Sequence, residues 1–347
     1  MTIDQQAQQI RRRLEEERAA TVSVALFGQP GAGKSSLINR LVGHKVTEVG
    51  VETDKTVDAA RYEHNGLVLV DLPGYGTQRF PKAGYAEQFR IRELDLFLCV
   101  TSGKLHQADT ELFQELRRLG KACIFVVNKH DELWEEGVET HELERRKRAD
   151  IERHVGAGVP VVFTNCRLRT GLDTLQQLIA ENLEAAKRER WMRGARAYSA
   201  EFLVAKHAAC EKYVATAAAA SAANGLNPVP GADVAVDIGI LVRLFSEIRE
   251  GYGLSSERLG LLRQSTIPAV AQLASNVLKY AAREGVLTLL KRQIGRQAAK
   301  SLARYVPFIG QAIAAGLGYT ITSNAGASYL EECHELAAQI LAHRLEV

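Results

Sequence analysis

A mostly parallel α/β sheet with one antiparallel edge strand, followed by an all-helical half, is the fold class the sequence predicts. Three observations lead there. Short apolar runs (TVSVALF, LVLVDL, DLFLCV, ACIFVVN and VPVVFT) recur through the first half, most of them followed by a segment of helical period. Runs apolar on both faces and separated by helices fit a parallel sheet covered on both sides. Asn65-Gly66 falls between DAARYEH and LVLVDL, a pair of residues that turns a chain back into a hairpin and so marks the antiparallel edge. Past KRERWMRGAR, at about residue 187, no convincing strand follows and Ala dominates.

The elements follow in order. Ile3, Ala7, Ile10 and Leu14 are spaced for one face of an amphipathic helix that must pack on something. Residues 1–20 are therefore expected to join the helical half, with 21–190 forming the α/β domain and 191–347 the helical domain. Within the latter, Val234, Ile238, Leu241, Phe245 and Ile248 make a helical stripe, and Pro228, Pro230, Pro268 and Pro307 stand at expected helix starts. KRERWMRGAR reads as a solvated inter-domain helix with Trp191 in the interface, ahead of a contact with acidic lipid. HELERRKRADIERH, of mixed sign, reads as another solvated helix.

Composition narrows the classes. The chain has 347 residues, 46% hydrophobic and 24% charged, enough to bury a sizeable core. A net charge of +3 argues against nucleic acid as the obligatory partner. Cys99, Cys123, Cys166, Cys210 and Cys333 show no metal-ligand spacing and are expected to be reduced thiols. The N-terminus has neither a secretory apolar region nor Gly at position 2, and no run reaches the roughly 18 apolar residues of a spanning helix. A cytoplasmic location is expected, with peripheral membrane contact left open. YVPFIGQAIAAGLGYTIT and VPGADVAVDIGILV are the apolar stretches that keep it open. A buried helical core is the preferred reading of both, with conditional insertion as the alternative.

Three motifs carry chemistry. GQPGAGKS satisfies G-x-x-x-x-G-K-[ST] between a strand and a helix, the context in which backbone N–H groups cradle phosphates. Gly31, Ala32, Gly33, Lys34, Ser35 and Ser36 are its phosphate-binding candidates. Lys34 is expected to reach the β/γ-phosphates and Ser35 to coordinate Mg²⁺. ACIFVVNKHDE puts Asn128, Lys129 and Asp131 at a strand end as N-K-x-D, where a carboxylate can accept both the N1–H and N2–H₂ of guanine. His130 fills the variable position as a bystander. LVLVDLPGYG offers Asp71 to Mg²⁺ and the Gly74 N–H to a γ-phosphate. GVETDKT offers Thr53 and Thr56 as alternative switch threonines for Mg²⁺. Thr164 and Asn165, in FTNCR, stand where a loop would cover the base, although Cys166-Arg167 departs from the usual loop pattern.

Together these residues resemble the dynamin-like and translation-factor-like P-loop GTPases. DLPG, then Gly-x-x-x-Phe-Pro, then the helix leading to NKHD, is similar to the immunity-related GTPases. So is NPVPGADVAVDIGILVRLFSEIREGYGLS in the helical half, and the resemblance covers most of the chain. It implies GTP/GDP with Mg²⁺ as the ligand, and a homodimer in which two G domains meet across their nucleotides. It also implies that a switch-region glutamate joins Lys34 in catalysis. Glu52, in GVET, matches that glutamate, in a segment one residue shorter. Tyr75 stands where Ras-like proteins place a water-orienting Gln, so slow hydrolysis by the monomer is expected. The alternative is a GTP/GDP-gated scaffold with negligible hydrolysis, whose helical domain recruits a protein partner.

Overall fold

Residues 3–46, 59–224, 232–280, 284–286 and 307–345 are described by a computed structural model, in which the chain divides into two units. Residues 21–198 form one. Its sheet contains β1 (Val22–Phe27), β2 (Ala60–His64), β3 (Leu67–Asp71), β4 (Leu96–Thr101), β5 (Ala122–Val127) and β6 (Val161–Phe163), in the order β2-β3-β1-β4-β5-β6. Every pairing is parallel except β2 with β3. Asn65 and Gly66, with φ of +48° and +72°, make the tight turn that an antiparallel hairpin of this length requires. Strand β4 is buried at every position, as expected of a central strand covered on both faces.

Helices α2 (Lys34–Val42), α3 (Tyr85–Gln88), α4 (Gln107–Arg118) and α5 (Thr140–Val155) lie between strands, and α6 (Leu172–Glu181) follows β6. Leu112, Phe113 and Leu116 of α4 and Ile151 and Val155 of α5 share one apolar cluster with Phe97 and Phe125 of the sheet. A further helix, α7 (Ala185–Gly194), corrects the expected boundary at 190/191. It packs on β1 and β3, with Trp191 fully buried and its indole N–H donating to the Gln176 carbonyl at 3.2 Å. The basic residues that suggested a linker are held locally. Arg188 Nε donates to the Ala180 carbonyl at 2.8 Å, and Lys187 pairs with Asp95. Trp191 therefore belongs to the core of this unit, which runs on to Tyr198.

The other unit contains residues 1–20 and 199–347. Its helices are α1 (Ile3–Ala19), α8 (Ala200–Asn224), α9 (Ala232–Gly251), α10 (Ser256–Leu262), α11 (Pro268–Lys279) and α12 (Pro307–Ala342). Helix α1 lies on α8 with Ala7 and Leu14 buried, Arg11 donating to the Ala223 carbonyl and Arg18 to the Tyr213 hydroxyl. Helices α8 and α12 approach closely because their facing residues are small. A Cβ on Gly326 would lie 2.7 Å from Val214 Cγ1, and the buried hydroxyls of Thr322 and Ser221 bond at 2.8 Å. Most of YVPFIGQAIAAGLGYTIT opens α12, whose later turns bury Tyr329, Leu330, Cys333 and Leu336. Among the described residues no helix is long and apolar enough to cross a membrane.

Candidate nucleotide site

The site lies where β1, β3 and β5 end. After Phe27 the chain runs through GQPGAG into α2, and two glycines are required there for different reasons. At Gly28, φ is +138° and a Cβ would lie 2.0 Å from the Val100 carbonyl oxygen; at Gly33, φ is +93° and a Cβ would lie 2.2 Å from Asn128 Nδ2. Gly33 is the N-cap of α2 and supplies no side-chain acceptor to it. The first-turn N–H groups of α2 are thus left for another acceptor, at the positive end of the helix dipole. Gln29 Nε2 donates to Asp109 Oδ2 at 3.1 Å and ties the loop to α4. Burial raises the Asp109 carboxyl above its ordinary range, against the opposing effect of that bond. This tie was invisible in the sequence, because nothing local connects residues 29 and 109.

Lys34, the first residue of α2, extends its ammonium to the Gly28 carbonyl at 2.8 Å and lies 4.0 Å from Asp71 Oδ1. Asp71 is buried at the end of β3, one residue after the parallel pairing of Ala25 with Val70. Burial raises its pKa, while Lys34 and the Ser35 hydroxyl oppose the rise. Asp71 Oδ1 has no hydrogen-bond partner among the described residues. A buried carboxylate oxygen without a donor is costly. Beside a serine hydroxyl at a helix N-terminus, it is suited to a hard divalent cation that keeps its own waters. Ser35 and Asp71 therefore fit Mg²⁺, whose remaining ligands would come from phosphate and water. No cluster of three or more His, Cys, Asp or Glu able to hold a metal occurs among the described residues. Ser36, half-buried, follows in the same first turn.

Asn128 joins the phosphate loop to the base loop. Its amide Nδ2 donates to the Ala32 carbonyl at 2.9 Å, and its Oδ1 accepts from the Thr164 hydroxyl at 3.2 Å. Thr164 is thus wholly buried beneath Asn128 rather than exposed over the site. Asn165 is also buried, and its Oδ1 accepts from the backbone N–H groups of Arg167 and Leu168, both at 2.9 Å. Both residues shape the loop from inside, and the positions facing outward are Arg167 and Leu168. Cys166 is half-buried, its thiol pushed up to about 11 by burial, and its carbonyl accepts from Arg40 Nε at 2.7 Å. Lys129 adopts a left-handed φ of +57°, which swings the following residues outward. Asp131 meets Arg167 Nη2 at 2.5 Å, and His130 Nε2 lies 2.8 Å from Glu144 Oε1, away from Asp131.

Gly74 is exposed just beyond β3. Tyr75, next to it, turns inward: its hydroxyl donates to Glu115 Oε2 at 2.6 Å and its ring meets Tyr85 edge-on at 5.0 Å. Burial and that carboxylate both push its pKa up, so the phenol stays protonated and bonded to α4. Tyr75→Phe is expected to cost about 1.5–3 kcal/mol, the worth of a hydrogen bond to a charged acceptor. The measurement is the urea midpoint, with nucleotide affinity unchanged; a loss of affinity would give the hydroxyl a role in the site. Glu52, Thr53 and Thr56 lie outside the described residues.

A family model described as interferon-inducible GTPase (IIGP) matches residues 2–143. Interferon-inducible GTPase 5 of Bos taurus is 27% identical over 99% of this chain and 80% of its own length. The chain is similar to the interferon-inducible GTPases. Interferon-gamma-inducible GTPase 10 of Mus musculus is 34% identical over 34% of this chain and 30% of its own. The likeness to Interferon-inducible GTPase 5 thus extends through the helical unit, whereas that to GTPase 10 spans only a third of this chain. Among solved structures, a probable GTP-binding protein engB covers 46% of this chain and 98% of its own, at 20% identity and a TM-score of 0.36. In this chain the GQPGAGKS loop is bonded through Asn128 to the end of β5.

Proposed function

We propose that the chain binds GTP and GDP with Mg²⁺ and hydrolyses GTP, slowly as a monomer and faster when two copies meet at the nucleotide. One observation carries the nucleotide assignment: the Asn128 amide bonds the Ala32 carbonyl, so the N-K-x-D carboxylate and the phosphate loop belong to one site. Gly31 to Ser36 supply backbone donors for the phosphates, and Lys34 leaves its loop carbonyl for the β/γ-phosphate oxygens. Ser35 and Asp71 hold Mg²⁺, which, when bound, neutralises charge on the phosphates. The Gly74 N–H senses the γ-phosphate from its exposed position beyond β3. Asp131 accepts from the N1–H and N2–H₂ of guanine. Adenine has no such donor pair, so the carboxylate sets the base preference.

Hydrolysis needs a group to orient water, and Tyr75 is committed to Glu115. Glu52 is the candidate, by resemblance, and Thr53 or Thr56 completes the Mg²⁺ shell. Names of GTPases among the relatives of the whole chain support turnover. The inward Tyr75 favours the second reading, a nucleotide-gated scaffold. A dilution series separates the two. Specific GTPase activity is expected to fall at least several-fold over a hundredfold dilution of the protein, measured as phosphate release at saturating GTP. Constant activity would remove the need for a second copy, and no turnover at any concentration would leave the scaffold.

A further inference from the structure

We infer that Arg167 is a built-in competitor for guanine at Asp131, an inference that rests on the guanine site proposed above. Arg167 Nη2 lies 2.5 Å from Asp131 Oδ2, the carboxylate oxygen of an N-K-x-D residue whose side chain is only 29% exposed. A guanidinium is planar and presents adjacent N–H donors, as the N1–H and N2–H₂ edge of guanine does. Arg167 Nη2 already holds Oδ2, one of the two oxygens that the guanine edge would engage. The arginine must therefore leave before the base docks fully.

The loop backbone fixes the position of Arg167. Asn165 Oδ1 accepts the Arg167 and Leu168 N–H groups at 2.9 Å, Asn165 N donates to the Thr170 carbonyl at 3.0 Å, and Arg40 Nε holds the Cys166 carbonyl at 2.7 Å. The backbone between β6 and α6 is thus anchored on both sides of position 167. Release needs only side-chain rotation, because the Arg167 side chain is 78% exposed. An exposed pair is weak, so the device is a brake on guanine entry and not a block. It lowers affinity for GTP and GDP alike, since both present the same base edge.

The direction of the effect makes the idea testable. Removing a cation beside a polyanionic ligand ordinarily weakens binding, so tightening has a specific meaning. A fluorescent GDP analogue is titrated into the full chain and its Arg167→Ala variant, with Mg²⁺, at low ionic strength and at about 1 M salt. The variant is expected to bind about two- to fivefold more tightly at low ionic strength, through faster association. The two proteins are expected to converge at high salt, where an exposed pair is screened. Equal or weaker binding by the variant at low salt overturns the inference and leaves the guanine site standing. Absence of binding by the wild-type protein overturns the guanine site and the inference with it.

Discussion

Lys34→Ala is expected to lose nucleotide binding, with affinity for GDP and GTP falling at least about a hundredfold. The side chain is mostly enclosed, 11% exposed, with its ammonium between the Gly28 carbonyl and Asp71. A charge-assisted hydrogen bond contributes about 1.5–3 kcal/mol, and Lys34 is positioned to make more than one to the phosphates. At 1.4 kcal/mol per decade, two such bonds account for the loss. The substitution also removes the nearest cation to Asp71, whose other oxygen is held by the Ser35 hydroxyl. Calorimetric titration with GDP and Mg²⁺ reads the affinity, and a melting curve separates lost binding from lost fold. A folded variant with unchanged affinity would sink the phosphate-loop assignment.

Asp131→Asn is expected to move base preference from guanine to xanthine. An asparagine keeps the shape of the side chain but replaces one acceptor oxygen by a donor NH₂. That donor faces the guanine N2–H₂ as a like group, whereas xanthine presents a carbonyl oxygen there. A bidentate pair discriminates bases by about 1–3 kcal/mol, so GTP affinity should fall by about ten- to a hundredfold while XTP affinity rises. The substitution also removes the acceptor of Arg167. That change alone tightens guanine binding in the scheme above, so it works against the expected fall and cannot imitate it. Competition of GTP and XTP for one fluorescent nucleotide measures the shift, and retained GTP preference would remove Asp131 from base recognition.

Both predictions reside in motifs visible along the chain, because each motif is a local solution to a local problem. The left-handed Gly33 opens α2 at the expected strand-to-helix turn, and Asn65-Gly66 closes the β2–β3 hairpin. Such signals concern backbone angles a few residues apart, and a short window of sequence contains all of their physics. The alternation of apolar runs with helical segments likewise predicted a mostly parallel sheet, as now seen. The boundary after α7 was misplaced for the opposite reason. Basic residues around Trp191 resemble a solvated linker until their stems and donors meet carbonyls elsewhere in the fold.

By itself, the sequence determined the phosphate loop, the N-K-x-D carboxylate and the missing glutamine at position 75, since each is a matter of residue type at a fixed short spacing. Only the tertiary structure decided what those residues face. Asn128 reaches the Ala32 carbonyl 96 positions away, Tyr75 turns to Glu115, and Arg167 comes to Asp131. The side chains of Thr164 and Asn165 turn beneath their loop for the same cause. A side chain takes the partner that packing brings within about 3 Å, and that partner is set by how β5, β6 and α4 stack, not by the residues beside it in the chain.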